Sequence, residues 1–203
     1  MKYVEYVRKR FANAPALKIT DLKVALGTRG ISKNYLHLLV HNLLASGELK
    51  KITRGTYTFR DDAETVGFAF TPFYYGLEEA LSLRNLWEQE TNPVVITPRR
   101  VRSGVRTFEG RNYAVRHIAR EMFFGFELVK YGDFWIPVSD AEKTLIDFVY
   151  FKQPLPQSAL KELVSATDAA KLNKYLKRCP RWLEKRARQA LEGKKLPKSR
   201  KPG

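Results

Sequence analysis

Glycines, prolines and polar caps punctuate residues 1–60 so closely that only short elements fit between them. Val4, Val7 and Phe11 follow the i, i+3, i+7 spacing of one helical face, and Pro15 stops any continuation. Thr20 is the expected N-cap of a second helix that carries Leu22, Ala25 and Leu26 and ends at Gly27. Gly27 to Gly30 can make a tight turn, after which Ser32 caps a third helix. Its buried stripe is Leu36, Leu39, Val40 and Leu43, and Gly47 is its natural stop. Two strands follow, Leu49–Ile52 and Thr56–Arg60, around a Thr53-Arg54-Gly55 turn. Helix, helix, turn, helix and hairpin is the order of a winged helix-turn-helix. The alternative is a small α+β domain that binds protein through the same surface.

Charge narrows the partners of such a domain. The chain of 203 residues has a formal net charge of +16. Residues 1–60 carry a net +9, residues 61–152 a net −3 and residues 153–203 a net +10. Basic ends around a near-neutral middle fit a polyanionic partner. No apolar run has the length of a membrane span, and the charged N-terminal stretch lacks the apolar core of a signal peptide. Cys179 is the single cysteine, which excludes an internal disulfide and a thiolate zinc cluster and fits a reducing compartment. The expected location is cytoplasmic, with no membrane partner.

The sign of the charge changes after Asp61-Asp62, which marks a boundary. A second region starts with Phe68–Phe73, and a helix is expected over about Tyr75–Trp87. Pro93–Thr97 reads as a buried strand. Thr107–Glu109 and Tyr113–Ile118 read as strands around Gly110-Arg111-Asn112. Glu127–Tyr131 and Phe134–Val138 flank Gly132-Asp133, the clearest hairpin signal in the chain. Ser139 is then the expected cap of a helix containing Leu145, Phe148 and Val149, with Glu142 completing a capping box. After Pro154 and Pro156, three helices are expected over residues 157–165, 168–178 and 180–192. The fold class is therefore α+β: a winged helix-turn-helix domain over residues 1–60, then a mixed α+β domain over 64–192 ending in helices. Residues 193–203 form a basic tail, expected to be disordered.

A winged helix places its third helix in the DNA major groove. The positions left open by the buried stripe are Lys33, Asn34, His37 and His41. Asn34 can pair bidentately with adenine, and Lys33 can reach guanine or a phosphate. Tyr35 can touch a sugar or a thymine methyl, or pack internally. Arg29 sits in the turn before the helix, Lys50 and Lys51 enter the hairpin, and Arg54 lies at its tip, all suited to phosphates. His37 and His41 have metal-pair spacing, but no HExxH pattern and no third ligand accompany them. No metal site and no cofactor are expected.

Several segments resemble the AbiEi-type antitoxins of abortive-infection systems. They are LKITDLKVALGTRGISKNYLHLLVHNLLASGELKKITRGTYTF, PFYYGLEEALSLRNLW, NPVVITPRRVRSGVRTFEGRNYAVRHI and FWIPVSDAEKTLIDFVYF. The resemblance covers roughly residues 10–152, and the run from Asp140 to Asp147 within the last segment is its most specific part. It implies a winged helix that binds inverted repeats in its own promoter and represses the operon. It also implies a C-terminal domain that counters a nucleotidyltransferase-like toxin, typically without a stable complex. An inverted repeat fits a homodimer, since two-fold DNA symmetry matches two-fold protein symmetry.

Two clusters in the second region allow other chemistry. Arg99, Arg100, Arg102 and Arg106, with Arg111, Arg116 and Arg120 nearby, could form a second phosphate-binding surface or an exposed loop paired with carboxylates. Asp140, Glu142 and Asp147 could hold Mg²⁺ for nuclease chemistry, yet helix capping and a Lys143–Asp147 pair account for them without a metal. There is no P-loop, no GxGxxG and no base partner for Cys179, so no catalytic residues are assigned. The expected function is a sequence-specific DNA-binding repressor, by resemblance an autoregulating antitoxin. The alternatives are a toxin-neutralising protein-interaction module without specific DNA binding, and a metal-dependent nuclease.

Overall fold

The computed structural model describes residues 3–27 and 30–191. The basic tail expected from residue 193 and the turn residue Arg29 lie outside these. Three helices, α1 (Val4–Phe11), α2 (Ile19–Gly27) and α3 (Lys33–Ala45), pack around Leu22, Leu26, Leu36, Leu39 and Leu43. Three short strands, β1 (Leu17–Lys18), β2 (Lys50–Thr53) and β3 (Thr56–Thr58), form an antiparallel sheet in the order β1-β3-β2. The strand β1 has no periodic signal of its own. Leu17 enters the core while the backbone pairs opposite Tyr57.

The helix boundaries follow the capping chemistry. Ser32 Oγ accepts the backbone N–H of Tyr35 at 3.3 Å and so starts α3. Gly47, at φ 73°, ends it in the left-handed conformation that glycine adopts without strain. Thr20 does not cap α2. It lies inside the helix, and the Asp21 carboxylate reaches back to accept the backbone N–H of Lys18 at 2.7 Å. This is the acidic half of a capping box without its hydroxyl half.

The rest of the chain is a mixed sheet with a helical layer on one face. Its strands are β4 (Tyr74–Tyr75), β5 (Val94–Thr97), β6 (Gly104–Phe108), β7 (Arg111–His117), β8 (Phe126–Tyr131) and β9 (Phe134–Ser139). They lie in the order β6-β7-β5-β4-β9-β8, with β4–β9 and β5–β7 parallel and the other neighbours antiparallel. Side chains alternate across the pleat. Tyr74, Val94 and Ile96 face the helices α4 (Glu78–Leu83), α5 (Ala141–Tyr150), α6 (Gln157–Ser165), α7 (Ala169–Leu176) and α8 (Arg181–Leu191). Tyr75, Val95, Val115, Ile136 and Val138 face the other way, onto a 3-10 helix at Ala63–Phe70. Among the described residues no helix is long and apolar enough to cross a membrane.

Two expectations fail here for physical reasons. The helix expected over Tyr75–Trp87 is only α4, because Tyr74 and Tyr75 are a central strand buried on both faces. A Cβ at Gly76 would come within 2.5 Å of Ile96 Cδ1, so any larger residue must displace that side chain where the chain passes β5. At α5 the cap is Asp140, not Ser139: its Oδ1 accepts the backbone N–H of Lys143 at 2.8 Å. Ser139 ends β9 and shares a hydrogen bond with the Thr144 hydroxyl at 2.7 Å. Glu142 completes no capping box, since it turns to α7 and accepts the backbone N–H of Asp168 at 2.7 Å.

Candidate nucleic-acid interface

The buried stripe of α3 dictates what its other side presents. With Leu36, Leu39, Val40 and Leu43 in the core, Lys33, Asn34, His37 and His41 are exposed on the helix surface. Leu38, four residues after Asn34, shares that surface and keeps 51% of its area exposed. It is not among the contacts that the sequence suggests. Its only signal was a leucine that falls outside the buried stripe. Tyr35 packs inward instead, with its ring edge-on to Tyr3 at a centroid distance of 5.8 Å.

The hairpin residues separate. Arg54 is exposed at the β2–β3 turn, where Gly55 adopts φ 80° and its carbonyl accepts the backbone N–H of Ile19 at 2.9 Å. That bond ties the turn to the start of α2. Lys51 is exposed. Lys50 is not available as expected: its ammonium is paired with Asp61 and its side chain is only 14% exposed. The charge change at Asp61, read as a boundary, thus also neutralises a hairpin lysine.

The arginine cluster after β5 divides in the same way. Arg99 donates to the Ala69 carbonyl at 2.9 Å, and Arg106 donates to the Arg102 carbonyl at 2.9 Å while its guanidinium lies 4.9 Å from the Phe70 ring centre. Arg99 thus ties the loop to the 3-10 helix, and Arg106, on β6, ties it to the sheet. Arg99, Arg100 and Arg102 are exposed, and Arg106 is half-buried.

The three carboxylates weighed for catalysis are all spent on internal partners. Asp140 Oδ2 accepts from the Tyr175 hydroxyl at 2.8 Å and lies 3.1 Å from Lys171 Nζ, which is also 2.9 Å from Glu142. Asp147 is fully buried, paired with Lys143 and accepting from the Tyr74 hydroxyl at 2.8 Å. Burial raises the Asp147 carboxyl above its usual range, against the pull of Lys143. Burial also holds the Tyr74 hydroxyl well above its usual value, with the Asp147 charge adding to it. Burial lowers the Lys171 ammonium, but its bonds to Glu142 and Asp140 outweigh that and raise it overall. Among the described residues no group of three or more His, Cys, Asp or Glu could hold a metal.

A cavity of about 640 Å³ opens beside the sheet, lined by Glu64, Glu79, Glu90, Thr91, Arg111 and Tyr131 among others. Glu79 is only 4% exposed and accepts from the Thr91 hydroxyl at 2.6 Å. Burial pushes its carboxyl up to about 7, with the charge of Glu64 adding to the shift and the Thr91 hydrogen bond opposing it.

No protein-family model matches this chain, and no curated sequence does. Its fold is similar to that in the crystal structure of the RV2827C protein from Mycobacterium tuberculosis, with a TM-score of 0.64 covering 95% of this chain and 77% of that one. The two sequences are 14% identical, so the likeness is one of fold. Both chains share a mixed α+β architecture.

Proposed function

We propose that residues 1–60 form a winged helix-turn-helix domain that binds double-stranded DNA in a sequence-specific manner and represses transcription. The carrying observation is the surface of α3, where Lys33, Asn34, His37, Leu38 and His41 are exposed on an element fixed by its opposite side. A helix of this kind, its apolar stripe buried and Lys33, Asn34, His37 and His41 exposed, suits insertion into a major groove. Asn34 would read adenine, Lys33 guanine or a phosphate, and Leu38 a thymine methyl. Arg54 and Lys51 would hold the phosphate backbone. By its resemblance to AbiEi-type antitoxins, the protein would occupy inverted repeats in its own promoter as a cytoplasmic homodimer. Residues 64–192 would then act against a nucleotidyltransferase-like toxin.

One observation favours a second reading. Leu128 and Trp135 are large, exposed and apolar on the β8–β9 hairpin at the sheet's edge. They suit a protein contact, as in a toxin-neutralising module that binds no specific DNA.

The test is binding of the purified protein to its own upstream DNA, against scrambled DNA of equal length, over a salt series. The promoter should win, and Lys33→Ala/Asn34→Ala should erase that preference. Arg54→Ala should weaken both DNAs alike. Equal binding of the two DNAs by the wild type, lost at moderate salt, would reduce the basic surface to a nonspecific electrostatic one and favour the second reading.

A further inference from the structure

Trp182 stands apart from the packing of α8. Leu183, Ala187 and Ala190 anchor that helix in the core, while Trp182 keeps 45% of its surface exposed. Its indole lies nearly parallel to the Tyr150 ring at a centroid distance of 6.3 Å. The Arg186 guanidinium sits 5.7 Å from the indole. Lys152, just past α5, joins Trp182 and Arg186 in lining an open cavity of about 230 Å³. Helical spacing sets Lys185 and Arg186 beside Trp182, three and four residues on. The acid of this helix, Glu184, is bound to Arg188 at 2.9 Å, so it does not offset those charges.

We propose that Trp182, Arg186 and Lys152 form a second nucleic-acid site, one that takes an unpaired nucleobase together with its flanking phosphates. A base in a duplex hides its ring faces, whereas an unpaired base can lie against an exposed indole. The surrounding cations then meet the phosphates on either side. This partner matches the charge of residues 153–191, which carry nine Lys/Arg against three Asp/Glu. An anionic membrane surface fits less well, because the apolar side of α8 is already buried in the helical layer. The site is independent of the winged-helix reading.

The experiment uses the full chain carrying Lys33→Ala/Asn34→Ala/Arg54→Ala, which removes the α3 and hairpin contribution. Binding is measured with short labelled oligoadenylates, as RNA and as DNA, and with abasic strands of the same length. Trp182→Ala should weaken the base-bearing strands roughly tenfold and leave the abasic strands unchanged. Trp182→Phe, which keeps a ring against Tyr150, should retain most of the affinity. Arg186→Gln should weaken both kinds of strand. Loss in either the RNA or the DNA series supports the site and names its source. The proposal is overturned if Trp182→Ala binds both series like its parent, if base-bearing and abasic strands bind the parent equally, or if phosphatidylserine vesicles outcompete the oligoadenylates. Promoter preference, measured separately in a chain carrying only Trp182→Ala, reports on the winged-helix reading alone.

Discussion

Replacing Glu79 by glutamine should stabilise the protein at neutral and alkaline pH and leave it unchanged in acid. The Glu79 carboxyl is nearly inaccessible, accepts one hydrogen bond from Thr91 and has Glu64 as a neighbour on the same cavity. Its value rises from 4.5 to about 7 on folding. Below 4.5 the folded and unfolded chains both hold the proton, and the group costs nothing. Between 4.5 and 7 the unfolded chain ionises first, so stability falls as the pH rises. Above 7 the buried carboxylate carries its full cost, about 3 kcal/mol at roughly 1.4 kcal/mol per unit. Glutamine has the same shape, keeps an oxygen for the Thr91 hydroxyl and never ionises. Urea denaturation of both proteins from pH 4.5 to 8.5 should give a gap that grows from near zero to about 3 kcal/mol in favour of the variant. A gap of the same size at every pH, or a wild type that is the more stable at pH 8, would refute the reasoning.

Two other outcomes are expected. Lys143→Met strands the Asp147 carboxylate in the core without its cation and should cost about 3–5 kcal/mol in urea denaturation, while Lys143→Met/Asp147→Leu recovers much of that loss. A single variant as stable as the wild type would mean that Asp147 is held neutral by its surroundings. At the hairpin, Lys51→Ala should reduce the salt slope of DNA binding by about 0.9. Lys50→Ala, whose ammonium is already neutralised by Asp61, should leave the slope unchanged; equal effects would contradict that pairing's persistence on DNA.

The elements that a reader of the sequence can place are those whose signal is local. Ser32 and Gly47 bound α3 through chemistry carried in a few residues, and the Gly132-Asp133 turn sets the β8–β9 hairpin with Gly132 at φ 56°. The strand β4 is illegible because its two tyrosines are defined by neighbours distant in the chain, β5 on one side and β9 on the other. Helical periodicity in the following leucines then extends the expected helix backward over them. The cap of α5 misleads for a related reason. Ser139 and Asp140 are both competent caps, and only the register of β9 opposite Phe126 decides that Ser139 ends the strand. Among the candidate contacts, exposure of Lys33, Asn34, His37 and His41 follows from the leucine stripe. The loss of Lys50 depends on a partner that no periodicity reports.

Arg60 explains how the two regions are held together without a large shared core. Its guanidinium donates to both oxygens of Asp133, at 2.7 and 2.6 Å, and to the Asn13 carbonyl at 3.3 Å. It also lies 4.9 Å from the Phe134 ring centre. One side chain therefore joins the segment after α1, the end of the small sheet and the tip of the β8–β9 hairpin. A planar fork suits this task better than an ammonium, since it satisfies a carboxylate with two parallel bonds and lies on a ring with its face. Asp133 is exposed, so water competes for each of these bonds, and the bidentate geometry rather than depth of burial gives the contact its direction. Ile52 reinforces it from the other side of the hairpin: it leaves the first core and packs with Val66 and Phe70 below the mixed sheet. The orientation of α3 relative to the sheet is thus set by a polar fork and by Ile52 and Ala16, which pack against the core below it.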